Sequence, residues 1–336
     1  MAFATALALW VSQVVNWGLS FITPVLMLFL LALPLPAPSL KQGITFLLAL
    51  VIPLWGASWL LLPTLSHQPF VGLLLLIAAC FWSFYYSASG GSPVLGAFLT
   101  LGLAIVAAVG SDSIDAVLAV NGALTVNAGL AIAFLWLAYG LFPDKPMDGK
   151  MPARPPASTP AREAAIRSAW RSTAIVLPVI VFFLVYPGSA AYLVVMIKVA
   201  SMGQQVENDD TRAVGKSLLM STLIGGVGAI LMWQALSIWP SLTLYALLVA
   251  LAGLIFGRQI FTGQGMKPNA GMWSYAFLTM MVLIAPSVLD GPGGGAAAVK
   301  FFDRLVMMGA ATLYGVAAVY VFDSFWRGKA LNRIVE

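Results

Sequence analysis

Charged side chains inside apolar runs are the residues of this chain best suited to chemistry. Lys198 lies in the run AYLVVMIKVASMGQQ, and Lys300, Asp303 and Arg304 lie in VKFFDRLVMMGA, where the last apolar run begins. A charge at the centre of a bilayer costs about 3 kcal/mol on insertion scales, so such residues normally face a bundle interior or an aqueous cavity. The sequence therefore predicts a path or a site for a charged solute.

Lys198 has two interpretations. Its run ends about one helical turn later, so the four-carbon stem can carry the ammonium to the headgroups. Alternatively, the ammonium faces the pathway and attracts a carboxylate. Both interpretations stand.

Lys300, Asp303 and Arg304 form a cluster with alternative roles. Lys300 and Asp303 are spaced i,i+3 and can pair on one helix face, whereas Asp303 and Arg304 are adjacent and point apart. Arg304 is then free for another helix or for a ligand carboxylate, which matches its planar fork. Asp303 is alternatively the titrating group of proton coupling. The simplest alternative is an ion pair between helices that locks the bundle.

Polar residues occupy the corresponding place in the sixth run of the first half. Asn121 and Thr125 are spaced i,i+4 and share a helix face. We expect them to form hydrogen bonds across the interface between the halves. The candidates for substrate binding or coupling are therefore Lys198, Lys300, Asp303, Arg304, Asn121 and Thr125.

The sequence contains no enzyme constellation. It has one histidine and one cysteine, and Cys80 lies inside an apolar run, so a Cys/His metal site is excluded. It has no GxxxxGK[ST] loop for ATP. Gly225, Gly226 and Gly228 are predicted to allow close helix packing rather than to cradle a phosphate. We therefore expect neither catalysis nor a cofactor.

The composition is that of a polytopic membrane protein. Hydrophobic residues make up 61% of the chain and charged residues 9%, with a mean hydropathy of +0.95. Soluble domains carry about 25% charged residues. The sequence predicts an all-α fold of about twelve transmembrane helices, six in each half. The apolar runs are 3–16, 19–33, 44–62, 70–86, 94–109, 117–142, 170–186, 189–202, 217–238, 242–256, 272–288 and 301–325.

The first two runs of each half are shorter than the roughly 20 residues of a perpendicular span. Very short connections separate them, Asn16-Trp17-Gly18 in one half and Tyr186-Pro187-Gly188 in the other. We predict a hairpin of two short or tilted helices in each half. The alternative is a single long, tilted span.

Basic residues predict the orientation of these spans. With each hairpin counted as two crossings, fourteen of the seventeen Lys and Arg residues fall on one side, which the positive-inside rule makes cytoplasmic. Both termini and the middle loop are therefore expected in the cytoplasm. The net charge of +5 reflects this sorting and not nucleic-acid binding. The first stretch lacks a basic n-region and a small-residue cleavage site, so we expect it to be retained.

The two halves share landmarks. Lys41 and Arg212 follow the second run of each half, with Gly43 and Gly215 just behind. Six crossings per half is an even number, so we expect two parallel repeats related by an axis along the membrane normal, with transport sites where they meet. The predicted division is 1–142 for the first repeat, 143–168 for a Pro-rich cytoplasmic linker, 169–326 for the second repeat and 327–336 for a cytoplasmic tail.

Three segments carry a resemblance to a known family. GLSFITPVLMLFLLALPLPAPSLKQG, the turn FWSFYYSASGGSPV and the later turn LIFGRQIF resemble the fusaric-acid-resistance and aromatic-acid-exporter family of bacterial inner-membrane proteins. The resemblance spans both halves, and its order, spacing and duplication make it moderately specific. Many members carry a sizeable cytoplasmic domain between the halves, whereas this chain has a short linker.

The resemblance implies a function and partners. The family is associated with efflux of aromatic carboxylic acids and other toxic compounds, together with a periplasmic membrane-fusion adaptor and an outer-membrane channel. Its relatives include plant anion channels in which two six-helix subunits enclose one pore. We therefore expect a secondary exporter of small anionic, aromatic compounds in the bacterial inner membrane. The alternatives are a passive organic-anion channel and a non-transporting membrane assembly subunit.

The orientation leads to a first prediction. Single cysteines replacing Arg154 and Asp112 in a Cys80→Ala background should differ in whole cells. The Asp112 position should react with an impermeant maleimide, and the Arg154 position should react only after the cells are opened. The reverse labelling pattern would rule out this topology.

Overall fold

A computed structural model describes residues 1–32, 38–110, 113–142, 162–185, 211–262, 265–289 and 295–335. Helices hold nearly all of these residues, so the predicted all-α class is confirmed for them. The helices are α1 Ala2–Val15, α2 Ile22–Leu31, α3 Leu40–His67, α4 Pro69–Ala88, α5 Pro93–Val109, α6 Ile114–Leu141, α7 Arg162–Val185, α8 Thr211–Ile238, α9 Leu242–Ile260, α10 Ala270–Leu289 and α11 Gly295–Val335. Two-residue strands, β1 Phe261–Thr262 and β2 Gly265–Met266, form an antiparallel pair after α9.

Eight of the described helices are long and apolar enough to cross a membrane, namely α3, α4, α6, α7, α8, α9, α10 and α11. The chain is therefore a multi-pass membrane protein. Three shorter apolar helices belong to α1, α2 and α5. The predicted run 189–202 lies outside the described residues, and the count of twelve crossings stays a prediction.

The hairpin expected at the start of the chain is present as two separate helices. α1 has 14 residues and α2 has 10. At 1.5 Å per residue they rise about 21 Å and about 15 Å, less than the roughly 30 Å of a hydrocarbon core. The alternative of one long, tilted span is wrong, because a turn at residues 16–21 interrupts the helix.

The residues group into two compact units, and each unit draws on both halves of the sequence. The first unit contains Met1–Leu48, Ala119–Gly149 and Met220–Met307. In it, α1 packs against α2 and α9, and α10 packs against α2 and α9. The second unit contains Ala49–Leu118, Lys150–Leu219 and Met308–Glu336. In it, α4 packs against α5 and α7, and α5 also packs against α7.

Some helices are buried on every side, and they form the cores of the units. The first unit contains two stretches that are buried without interruption, residues 21–28 at α2 and residues 276–287 of α10. Residues 102–109 of α5 are buried in the same way in the second unit. A helix that is apolar all round lies inside a protein rather than on its surface. The short helix α2 is therefore an interior element.

Close helix packing at Gly225 and Gly228 confirms the predicted role of these glycines. A Cβ on Gly225 would overlap the Ala276 carbonyl oxygen and lie 2.7 Å from Thr279 Cβ. A Cβ on Gly228 would lie 2.9 Å from Met280 Sδ. The absence of side chains on α8 thus lets α10 approach its backbone, as small residues do at helix interfaces in membranes.

This packing predicts opposite effects of two glycine substitutions. Gly225→Ala should lower the thermal stability of the purified protein in detergent, because the backbone of α10 must move and overpacking costs about 1–3 kcal/mol. Gly129→Ala in α6 is the control, since nothing lies within 4 Å of its added Cβ, and alanine favours a helix by about 1 kcal/mol. Equal melting temperatures for the two variants would contradict the close contact.

Candidate functional site

Arg304 is a half-buried cation of α11 that points to α10. Its Nη1 donates a hydrogen bond to Ser287 Oγ at 3.3 Å. Ser287 is buried, and its hydroxyl donates to the Leu283 carbonyl oxygen at 2.9 Å. The serine oxygen is thereby turned to accept from the guanidinium. At 3.3 Å this bond is longer than the usual N–H···O distance of about 2.9 Å.

An aromatic stack lies one helical turn from Arg304. Phe301 is fully buried and stacks on Trp233 of α8, with ring centroids 5.0 Å apart and planes inclined by 5°. Leu305, on the next turn, packs against Gly226 of α8. We call Arg304, Ser287, Phe301 and Trp233 the Arg304 site. It combines a guanidinium, a hydroxyl and aromatic surface from three helices of the first unit.

The other members of the predicted cluster point away from this site. Lys300 and Asp303 are exposed, and within the described part of the chain they form no salt bridge with each other. Neither residue belongs to the Arg304 site. Arg304 bonds to Ser287 rather than to Asp303. Lys198 lies outside the described residues, so its two interpretations stay predictions.

Asn121 and Thr125 occupy α6 of the first unit. Asn121 is fully buried, and Thr125 is half-buried. The Thr125 hydroxyl donates to the backbone oxygen of Asn121 at 2.8 Å, so this bond lies within α6. The expected hydrogen bonds across the interface between the halves stay a prediction.

Asn127, two turns after Asn121, is a polar centre that the candidate set did not contain. Its Oδ1 accepts from Trp17 Nε1 at 2.9 Å and from the Thr23 hydroxyl at 2.6 Å. Its Nδ2 donates to the carbonyl oxygens of Gly18, at 2.9 Å, and Ala123, at 2.7 Å. The amide thus uses all four of its hydrogen-bonding positions. The sequence feature that could have identified Asn127 is its position as an asparagine in the middle of an apolar run.

Asn127 holds a strained turn. Asn16 and Leu19 both have φ of 52°, the left-handed region that side chains other than glycine and asparagine seldom adopt. Leu19 stores about 1–3 kcal/mol of strain in this conformation. Because Asn127 binds Trp17, Gly18 and Thr23, one side chain of α6 fixes the turn on both sides of Leu19.

Arg171 and Asp323 form a salt bridge that sequence analysis did not foresee. Arg171 Nη2 lies 2.6 Å from Asp323 Oδ2, and the two side chains are 7% and 18% exposed. Arg171 is buried in α7, near the start of the apolar run at 170–186. α7 begins at Arg162, before the apolar run at 170–186, because the buried residues Ala165 and Ala169 extend its buried face toward the N-terminus. The salt bridge therefore joins α7 to α11 within the second unit.

Comparison with known proteins gives a partial family match and no activity. Residues 1–138 match the model of a family described as a protein of unknown function (DUF2955). No curated protein and no solved structure matches the chain. The matched segment contains α1 to α5 and most of α6. The function has to be inferred from the residues themselves.

The salt bridge gives a third prediction. Arg171→Met or Asp323→Leu alone should lower stability by about 3–5 kcal/mol, because each leaves an uncompensated buried charge. The double variant, which fills the space with apolar side chains, should recover most of this loss. Thermal unfolding of the four proteins in detergent measures the effect. A double variant less stable than either single variant would contradict a simple pair.

Proposed function

We propose that the protein is a secondary exporter of small organic anions, aromatic carboxylates in particular. The observation that carries this proposal is the Arg304 site in the first unit. It places a half-buried guanidinium in an apolar helix, one turn from the stacked rings of Phe301 and Trp233. An intramembrane cation of this kind is by default a functional residue.

The contacts of Arg304 suit a ligand that is bound and then released. A guanidinium offers five donors in a planar fork, and a carboxylate accepts two of them at once. The 3.3 Å bond to the uncharged Ser287 hydroxyl is long, and a carboxylate is a stronger acceptor for a guanidinium. Phe301 and Trp233 are both buried, so their stacked rings keep the surroundings of the guanidinium apolar.

An internal duplication supports a transporter of two parallel repeats. Gly43 of α3 packs against Ile132 and Trp136 of α6. Gly215 of α8 packs in the same way against Val316 and Tyr320 of α11. In both cases the partners stand four residues apart on the sixth predicted helix of their half. Gly43 and Gly215, which occupy corresponding positions in the two halves of the sequence, thus make matching contacts.

The units repeat a second pattern. α1 packs against α9 in the first unit, and α7 packs against α4 in the second. In each case the first helix of one half meets the fourth helix of the other. In the first unit, Ala2 contacts Gly253. In the second unit, the rings of Trp170 and Phe81 are in contact, with their centroids 4.8 Å apart. Transporters built from parallel repeats place their sites where the repeats meet.

The orientation and the partners complete the proposal. We expect both termini in the cytoplasm, because fourteen of the seventeen Lys and Arg residues fall on that side. The membrane is the bacterial inner membrane, and a periplasmic adaptor with an outer-membrane channel continues the export path. The family match ends at residue 138, close to the proposed end of the first repeat at 142. This agreement supports a boundary between the repeats there.

Substitution of Arg304 tests the proposal. Arg304→Ala should weaken resistance of cells to aromatic acids, because a charge-assisted bond is worth about 1.5–3 kcal/mol, or roughly ten- to a hundredfold in apparent affinity. High substrate concentration should restore part of the export. Arg304→Lys should recover less than wild-type activity, since an ammonium lacks the planar fork. Asp303→Ala should not rescue Arg304→Ala.

Lys300→Ala is the matched control, because Lys300 is an exposed cation of the same helix. It should leave export intact while all variants accumulate to the same level in the membrane. Export against a gradient should cease when the proton gradient collapses. Normal resistance in the Arg304→Ala strain would end the proposal, and flux that never builds a gradient would indicate an anion channel instead.

A further inference from the structure

The salt bridge of the second unit lies at the edge of an apolar core. Arg171 Nη2 and Asp323 Oδ2 are 2.6 Å apart. One helical turn inside this pair, Ile175 of α7 and Val319 of α11 are buried in one apolar cluster with residues of α8. The charged pair and the packed core are thus neighbouring but separate features.

The helix contacts of the two halves identify the positions that correspond to this pair. Trp170 and Ala2 each meet the fourth helix of the other half, so the residues that follow them, Arg171 and Phe3, correspond. On the sixth helices the correspondence follows from the matching glycine contacts.

Tyr320 and Trp136 each pack against the glycine of the third helix of their own half. Three residues further along each sixth helix, Asp323 therefore corresponds to Tyr139. Neither Tyr139 nor Phe3, the counterpart of Arg171, carries a charge at neutral pH.

The first half joins its first and sixth helices with aromatic rings. Phe3 of α1 contacts Phe142, which directly follows α6, with ring centroids 5.4 Å apart. A buried ion pair gains little stability over apolar side chains, because desolvation offsets the attraction of the charges. The repeat thus does not require the ion pair. Because ionisable residues in membrane helices commonly mark the path of a charged solute, its presence in the second half points to a function.

The salt bridge itself shows what Arg171 can bind. Its guanidinium holds a carboxylate oxygen at 2.6 Å, and an organic acid offers the same acceptor oxygens in the same geometry. Exchange of one carboxylate for another changes neither the charge at the site nor the kind of bond. A carboxylate is therefore the ligand class that fits this position.

Exposure indicates which partner can leave. The Arg171 side chain is 7% exposed and the Asp323 side chain is 18% exposed. Asp323 also lies near the end of the apolar run 301–325, so its short side chain can turn toward water. The apolar cluster around Ile175 and Val319 does not contain either charged residue. Exchange at Arg171 can thus leave the packed core in place.

We propose that Arg171 is a second binding position for the carboxylate of the transported compound, and that Asp323 is an internal competitor that occupies it in the empty protein. This inference rests on the proposed function and adds an entry position at the side that we expect to be cytoplasmic. The substrate carboxylate displaces Asp323, and the return of Asp323 releases the substrate. Such competition keeps binding weak enough for passage.

Binding of benzoate to the purified protein in lipid-free detergent tests the exchange. All proteins carry Arg304→Ala, so that binding at the Arg304 site is removed. Asp323→Asn removes the competing charge at nearly constant size and should tighten benzoate binding about tenfold. The uncharged double variant Arg171→Met/Asp323→Leu should lose this binding. Asp303→Asn, at an exposed aspartate of the same helix, is the matched control and should bind like the Arg304→Ala parent.

Two further ligands test the chemistry of the site. Benzyl alcohol, which has the ring without the carboxylate, should bind equally to the parent and to Asp323→Asn. Phosphatidylglycerol offers an acidic lipid headgroup instead. Benzoate should raise the melting temperature of Asp323→Asn more than that of the parent. If phosphatidylglycerol has this effect and benzoate does not, Arg171 is a lipid site and the proposal is overturned.

Transport separates a competitor from a structural partner. With Arg304 intact, Asp323→Asn should lower both KM and kcat of export, because the substrate binds more tightly and leaves more slowly. A purely structural pair would instead reduce the amount of folded protein and leave KM unchanged. That result would contradict the role of Asp323 as a competitor.

Failure of this inference is distinguishable from failure of the exporter. Equal benzoate affinity of the parent and Asp323→Asn, in a protein whose export depends on Arg304, removes the exchange at Arg171 and leaves the exporter. Tighter binding by Asp323→Asn, in a protein that exports nothing, retains the binding position and removes the exporter.

Discussion

Backbone that leaves a helix within a membrane must find its hydrogen bonds inside the protein, because lipid offers none. At the turn after α1, the first unit meets this constraint with backbone hydrogen bonds and with one side chain. A chain that enters at one surface and forms α1 turns back after about 21 Å, before it has crossed a core of about 30 Å. The turn contains two left-handed residues. Asn127 of α6 bonds to the turn at Trp17 and Gly18 and to the start of α2 at Thr23. This amide thus supports both the strained turn and the buried start of α2, together with backbone hydrogen bonds such as Ser20 N–H to Trp17 O and Ile22 N–H to Leu19 O.

The same constraint explains why the compact units differ from the sequence halves. A short hairpin cannot bury itself, so it needs helices from elsewhere. In the first unit α1 and α2 are covered by α9 and α10 of the other half. In the second unit α4 and α5 pack with α7. Each half thereby completes the other, and the fold couples the two ends of the chain more tightly than adjacent helices alone would do.

Hydropathy and charge predicted most of the fold, because they report on lipid contact. They located all eleven described helices, and glycine spacing predicted close helix packing at α8. They did not predict the burial of Arg171, since its partner Asp323 is 152 residues away and small residues conceal the buried face of α7. Their spacing allowed Lys300 and Asp303 to pair, and it did not reveal that both side chains are exposed. The interior polar residues Asn127, Ser20 and Tyr245 lie in ordinary apolar runs. Only tertiary packing distinguishes them from their neighbours.

The contacts between first and fourth helices are filled in opposite ways in the two units. In one unit Ala2 meets Gly253, and two backbones touch with almost no side chain between them. In the other, Trp170 meets Phe81 with two large rings. If a duplicated ancestor had used one solution at both places, the two copies have since diverged in opposite directions. The two contacts thus differ in what they tolerate. A contact between two backbones has no room for added atoms, whereas a contact between two rings can accommodate a different ring size or tilt.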